Sequence, residues 1–223
     1  MNEAEAKMWL TDTLDVSRET MEVLEAFVGY LKREAQSQNL IAKSTLDIVW
    51  SRHIVDSAQL LTHLPQEESG GAQKWLDLGS GAGFPGLVIG ILTGHRVTLV
   101  ESRARRIEYL QRAVEMLDLE ESVTVAGMSL EKFETAKFDV VSARAFAPLP
   151  KLLRLAERFS TENTHWLLPK GRNAARELSD TQKQVEWRGR LKFHVKQSLT
   201  DEDAQILAGQ LLSRKPGKRR KRA

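Results

Sequence analysis

The run Asp77-Leu-Gly-Ser-Gly-Ala-Gly-Phe-Pro-Gly86 places Gly79, Gly81 and Gly83 at alternate positions directly after a short apolar stretch. Glycines at this spacing let a backbone turn approach a ligand closely, and a helix starting behind them offers free N–H groups. Pro85 suits the first position of such a helix. Glu101 closes the next apolar stretch, twenty-two positions beyond Gly79. A carboxylate there can accept hydrogen bonds from both hydroxyls of a ribose. Turn, helix start and distal acid together predict a nucleotide-type cofactor site.

Gly81-x-Gly83-x-x-Gly86 also satisfies the dinucleotide fingerprint, so the glycines alone admit a nicotinamide cofactor as readily as a methyl donor. Asp77, two residues before the first glycine, separates the two. Its carboxylate would repel a pyrophosphate but can face an ammonium group directly or through water, which points to S-adenosylmethionine. The alternative is that Asp77 caps local backbone and the glycines make a tight turn without a ligand. The chain has no cysteine, which excludes disulfides, Cys-ligated zinc and thiol nucleophiles. Its five histidines show no metal-ligand spacing, and no metal is expected.

Elements able to position these residues are legible around them. Met21, Leu24, Phe27 and Leu31 recur at helical spacing between Ser17 and Gln36. A second helix is predicted from Ser44 or Thr45, with Leu46, Trp50, Ile54, Ala58, Leu61 and Leu64 on one face, ending at Pro65. His53 lies at the edge of that face, with Arg52 and Asp56 outside it; these read either as a helix cap and i,i+4 ion pair or as part of a helix that docks beside the cofactor mouth and guides RNA. Polar residues 66–73 read as a linker.

Beyond residue 73, short apolar runs alternate with helical stretches, the pattern of βαβ units. Strands are predicted at 75–78, 97–100, 123–125, 138–142, 165–168, 191–197 and 205–212. Helices are predicted to begin near Pro85 and Ala104 and to span about 172–185. The fold class is therefore α/β, a doubly wound, mostly parallel sheet. It divides into an N-terminal helical cap and linker (1–73), a cofactor-binding domain (74–213) and a basic tail (214–223).

Seven positive charges fall within that tail, and removing them from the formal +3 leaves −4 for the rest of the chain. A short basic arm rooted in Pro216 and Gly217 suits phosphate backbones, although it can also serve solubility alone. No long uncharged apolar run or signal-peptide pattern is present, so a cytoplasmic location without membrane contact is expected.

The sequence resembles the small-subunit ribosomal RNA guanine-N7 methyltransferases, long called glucose-inhibited division protein B. The matching segments are Asn39-Leu40, Arg52-His-Ile-Val-Asp-Ser57, Trp75 to Gly86, Val100-Glu-Ser102 and Ser142-Ala-Arg-Ala-Phe-Ala147, in the expected order over residues 39 to 171. The resemblance implies a Rossmann-like fold that uses S-adenosylmethionine, with small-subunit (16S) ribosomal RNA or the small ribosomal subunit as substrate. It also implies cofactor contacts at Gly79, Phe84, Leu130, Glu131 and Arg144. Gln38 departs from the pattern, since an aromatic residue is frequent there, and the basic tail is longer than the fold needs.

Guanine N7 carries an in-plane lone pair and no proton at neutral pH, so methyl transfer to it needs positioning but no general base. The sequence is compatible with this. Methylation at a pyrimidine C5 generally needs a cysteine, and exocyclic-amine methyltransferases usually carry Asn or Asp before Pro-Pro and an aromatic, where this chain has Ser142-Ala-Arg-Ala-Phe-Ala-Pro148. Arg144, at the carboxyl end of a predicted strand, can meet the donor's carboxylate or an RNA phosphate. Phe146 is a candidate for stacking on the target base or, alternatively, a core residue. Arg52, His53, Lys170 and the tail residues Arg219, Arg220, Lys221 and Arg222 are candidate RNA contacts. A monomer is expected. The competing readings are a nicotinamide-dependent oxidoreductase, for which the chain lacks a substrate domain, and a non-catalytic RNA-binding assembly factor, which the intact glycines and Glu101 disfavour.

Overall fold

The computed structural model describes residues 1–65 and 71–213. Part of the predicted linker and the whole basic tail, including Arg219, Arg220, Lys221 and Arg222, lie outside them. Seven strands make one sheet: β1 (Lys74–Leu78), β2 (Arg96–Glu101), β3 (Val123–Gly127), β4 (Val140–Ala143), β5 (His165–Gly171), β6 (Leu191–Gln197) and β7 (Ala204–Leu211). Their order is β3-β2-β1-β4-β5-β7-β6. The first five strands run parallel, and β7 is antiparallel to both β5 and β6. The expected doubly wound, mostly parallel α/β sheet is observed.

β1 pairs with β2 on one side and β4 on the other. Both faces of this central strand are covered, which is why Trp75, Leu76, Asp77 and Leu78 are all buried. The chain moves outward from β1 to β2 and β3, then returns to β4 across β1. That reversal opens a crevice at the carboxyl ends of β1 and β4, where open α/β sheets bind ligands.

The helices are α1 (Glu3–Leu14), α2 (Arg18–Glu34), a short α3 turn (Asp56–Ala58), α4 (Gly86–Leu92), α5 (Ala104–Met116), α6 (Leu149–Ala156) and α7 (Ala174–Lys183). Two of them were not expected. α1 buries only Ala6 and Leu10, too few positions to give a clear period, although Asn2 and Glu5 form a capping box. α6 is a short element that comes after Pro148 and contains Pro150. On one face of the sheet Leu24, Phe27, Leu31, Trp50 and Ile54 share an apolar cluster with Leu87, Val88 and Leu110. The N-terminal helices thus build the same core as α4 and α5. On the other face α6 and α7 cover Leu76, Leu78, Val141 and Trp166.

The predicted second helix is corrected. Residues 43–63 wind as a 3₁₀ turn (Lys43–Thr45), a π-helix (Trp50–Val55), the α3 turn and a second 3₁₀ stretch (Gln59–His63). The i→i+5 winding takes in an extra residue and rotates the subsequent side chains away from their regular α-helical directions. His53 and Asp56 consequently turn inward, at 6% and 4% exposure. The predicted Arg52–Asp56 pair is not made: Arg52 Nη2 pairs with Asp201 at 3.2 Å and Asp56 with Arg144 at 3.1 Å.

Candidate active site

The glycine turn begins where β1 ends. Gly79, Gly81 and Gly83 have φ of 68°, 59° and 92°, conformations that L side chains rarely adopt. The Gly79 and Ser80 N–H groups donate to the Val100 carbonyl, and Gly81 N–H donates to Glu101 Oε2 at 3.1 Å. Glu101 Oε1 accepts from the backbone N–H of Ser102 and Arg103 at 2.8 and 2.9 Å. One carboxylate therefore ties the turn to the end of β2.

Asp77 lies beneath this turn with no exposed surface. Its Oδ1 accepts from Ser142 Oγ at 2.7 Å and its Oδ2 from Gly86 N–H at 3.2 Å, while Trp75 Nε1 donates to the same Ser142 oxygen at 2.8 Å. Burial pushes its carboxyl above the usual carboxylate range. An ammonium group facing this carboxylate, directly or through water, would meet oxygens already engaged by Ser142 and Gly86. The side chain of a strand covered on both faces points into the core, and Asp77 braces Gly86 against β4.

A cavity of about 220 Å³ opens above the turn, lined by Gly79, Glu101, Arg106, Met128, Leu130 and Phe146 among others. A lining that combines a carboxylate, the apolar Met128 and Leu130 and a glycine fits a nucleoside. The close approach is visible at Gly79, where an added Cβ would come within 2.6 Å of Phe146 Cδ2. Phe146 is part of this wall and packs on the apolar cluster under α6. Gly81 and Gly83 shape the turn without lining the cavity, and Glu131 is exposed outside it. Phe84 is buried, with its ring 5.6 Å from Phe27 and 4.9 Å from His53.

A second cavity, of about 600 Å³, shares Ala145 with the first. Ala145 has φ of 53°, a left-handed conformation at the junction of the two spaces. The larger cavity is lined by Arg52, His53, Asp56, Arg144, Lys170 and residues from the loop between β6 and β7. Arg144 is its centre. The guanidinium donates to Asp56 Oδ2 at 3.1 Å and to His53 Nδ1 at 2.8 Å, and its carbon stands 5.2 Å from the Phe84 ring centroid. A guanidinium has only donors, so Nδ1 of His53 is the acceptor and the proton sits on Nε2. Nε2 in turn donates to Thr45 Oγ1 at 2.8 Å, whose own hydrogen goes to the Ala42 carbonyl. Burial, with Arg144 and Arg52 nearby, lowers the His53 pKa to about 3 and keeps the ring neutral.

Asp56 Oδ1 accepts from Gln59 Nε2 at 3.0 Å and Thr200 Oγ1 at 3.0 Å. Lys170 Nζ donates to the Ala147 carbonyl at 3.2 Å and pairs with Glu177. Thr45, Gln59, Thr200 and Asp201 were missed by sequence reasoning. Thr200 and Asp201 lie far along the chain from Asp56 and Arg52, while Thr45 and Gln59, eight and three residues from His53 and Asp56, carry no motif that marks them. Among the described residues no group of three or more His, Asp or Glu is placed to hold a metal ion.

Known proteins match both the sequence and this architecture. The family model described as rRNA small subunit methyltransferase G matches residues 20–206. A protein named ribosomal RNA small subunit methyltransferase G from Zymomonas mobilis is 48% identical over 93% of this chain and 93% of its own length. One of the same name from Erythrobacter litoralis is 50% identical, covering 93% of this chain and 95% of its own. Among solved structures, geranyl diphosphate C-methyltransferase from Streptomyces coelicolor, bound to S-adenosyl-L-homocysteine, aligns with a TM-score of 0.57 at 15% identity. It covers 70% of this chain and 78% of that one. A mutant of MtNAS in complex with S-adenosylmethionine aligns at 0.55 with 16% identity, over 95% of this chain and 84% of that one. At such identities these two likenesses show the fold, whereas the family match and the near-full-length relatives show that the chain belongs to the GidB family of small-subunit rRNA methyltransferases.

Proposed function

We infer that the protein transfers a methyl group from S-adenosylmethionine to N7 of a guanine in small-subunit (16S) ribosomal RNA. The observation that carries this reading is the pair of cavities joined at Ala145, one built for a nucleoside and the other centred on a restrained arginine. When bound, S-adenosylmethionine supplies a sulfonium methyl for in-line displacement. Glu101 holds the ribose hydroxyls, Met128 and Leu130 flank the adenine, and Gly79 gives backbone clearance. Asp77 acts indirectly, by fixing Gly86 and hence the start of α4.

Arg144 orients the acceptor or the donor's carboxylate near the junction, with Phe146 closing the wall beside it. N7 has no proton to lose, and the groups around Arg144 match that requirement. His53 Nδ1 is engaged by Arg144, and both Asp56 oxygens are hydrogen-bonded, so neither is free to act as a base. Positioning and electrostatics carry the rate. Arg52, Lys170 and the tail contribute RNA contacts. The protein acts in the cytoplasm as a monomer. No helix among the described residues is long and apolar enough to cross a membrane.

Incubation with radiolabelled S-adenosylmethionine and intact small subunits or naked small-subunit RNA tests this reading. Label in RNA, with aniline cleavage after reduction mapping it to N7-methylguanine, is the expected result. No labelled RNA with either substrate overturns the reading, and label without N7-methylguanine overturns the target atom alone.

A further inference from the structure

The large cavity is lined by cations, yet each is already neutralised. Arg52 pairs with Asp201, Arg144 with Asp56, Lys170 with Glu177 and Arg172 with Asp203, all at 3.1 to 3.2 Å. The described part of the chain is net negative, as the charge count implies. A polyanion therefore gains little net attraction at the cavity itself, and its backbone needs cations elsewhere on the surface.

Such cations are gathered in a groove of about 620 Å³ between the end of α2 and the start of α5, lined by Gln38, Lys43, Arg103, Arg105 and Arg106. Lys43, Arg103 and Arg105 are exposed, and no carboxylate pairs with them among the described residues. The nearby acids are committed otherwise. Glu34 pairs with Arg112, and Glu101, buried in its backbone hydrogen bonds, has Arg106 Nη1 4.0 Å from its Oε2, so Arg106 is the one groove cation with an acidic neighbour among the described residues. Gln38 adds a neutral amide to the wall.

The groove is continuous with the proposed site. Ala42 and Thr45 line the large cavity while Lys43, between them, lines the groove. Arg103 and Arg106 line both the groove and the cofactor cavity. Residues 42–45 thus border both the large cavity and the groove, so that a strand reaching one lies beside the other.

We propose that this groove is the docking surface for the RNA backbone flanking the target nucleotide, with Lys43, Arg103 and Arg105 as its phosphate contacts. The proposal rests on RNA being the substrate but not on which atom is methylated. Solvated side chains without a ligand are the alternative.

The test measures filter binding of naked small-subunit RNA to the full chain across a salt series. Lys43 and Arg105 are substituted because neither lines the cofactor cavity. The K43A/R105A variant should bind RNA more weakly at low salt, with the slope of log affinity against log salt reduced by about 1.4, or 0.7 per lost phosphate contact on a single strand. S-adenosylmethionine affinity should remain within about twofold. Arg105→Glu places an acid in the first turn of α5, which the helix dipole favours, so weaker RNA binding there cannot be ascribed to misfolding. An unchanged slope in both variants overturns the groove assignment. Because binding needs no turnover, this outcome is distinct from an absence of labelled RNA, which overturns the proposed function instead.

Discussion

His53 Nδ1 accepts a hydrogen bond from Arg144 Nη2 at 2.8 Å, joining the π-helix to the end of β4 across ninety-one residues of sequence. Asp56 holds the neighbouring nitrogen of the same guanidinium, so two residues of one irregular helix fix the direction of one arginine. The role of His53 is accordingly to position Arg144, whatever further contact it makes with RNA.

Replacing His53 tests that role. Asn carries an acceptor close to the position of Nδ1, and Ala carries none. His53→Ala should lower kcat for RNA methylation by about tenfold or more, the cost of losing a hydrogen bond to a charged group. His53→Asn should recover most of the loss. Equal impairment of the two variants in a single-turnover assay would show that the ring is needed for packing on Phe84 instead.

The same histidine makes stability pH-dependent in a predictable direction. Its native pKa of about 3 is far below the unfolded value of 6.5, so on acidification the unfolded chain takes up the proton first. Stability should therefore fall as pH drops below about 6.5, at up to about 1.4 kcal/mol per pH unit from this group. His63 and His95, also lowered by burial, add the same sign. Urea denaturation at pH 7.5 and 5.5 should show a smaller loss for His53→Asn than for the unsubstituted chain.

Two glycines of the turn should fail in different ways. A Cβ at Gly86 would strike Leu99 and lie 2.7 Å from Asp77 Cβ, inside packed core. Gly86→Ala should cost about 1–3 kcal/mol of stability by overpacking, read as a lower Tm. At Gly79 the added atom meets the Phe146 ring edge and a left-handed backbone at the cofactor cavity. Gly79→Ala should chiefly weaken S-adenosylmethionine binding, measured by calorimetry. Equal Tm losses with cofactor affinity intact in both would contradict the distinction.

Removing residues 214–223 takes away seven positive charges. RNA binding should weaken in a salt-dependent way while S-adenosylmethionine affinity is unchanged. A salt slope identical to that of the full chain would leave the tail with a role in solubility only.

The sequence by itself determined the parts of this protein whose chemistry is local. Glycines at 79, 81 and 83 specify a turn because the left-handed backbone they adopt is costly for other residues. Continuous apolar runs specify parallel strands because both faces of the sheet are covered. Glu101 was legible because a fixed βαβ length sets where the next strand ends. The tertiary structure decided how the site is wired. Nothing in the spacing of residues 43–63 announces a π-helix, since intrinsic propensity is a weak guide that tertiary context overrides, and Trp50 and Ile54 lie in the same buried cluster as Phe84. That winding turned Asp56 from an expected surface partner of Arg52 into a buried partner of Arg144, eighty-eight residues away, and of Thr200, one hundred and forty-four away. The layers packed on the two faces of the sheet likewise drew Asp77 into the core, because a central strand covered on both faces has no solvent-facing surface for its side chains.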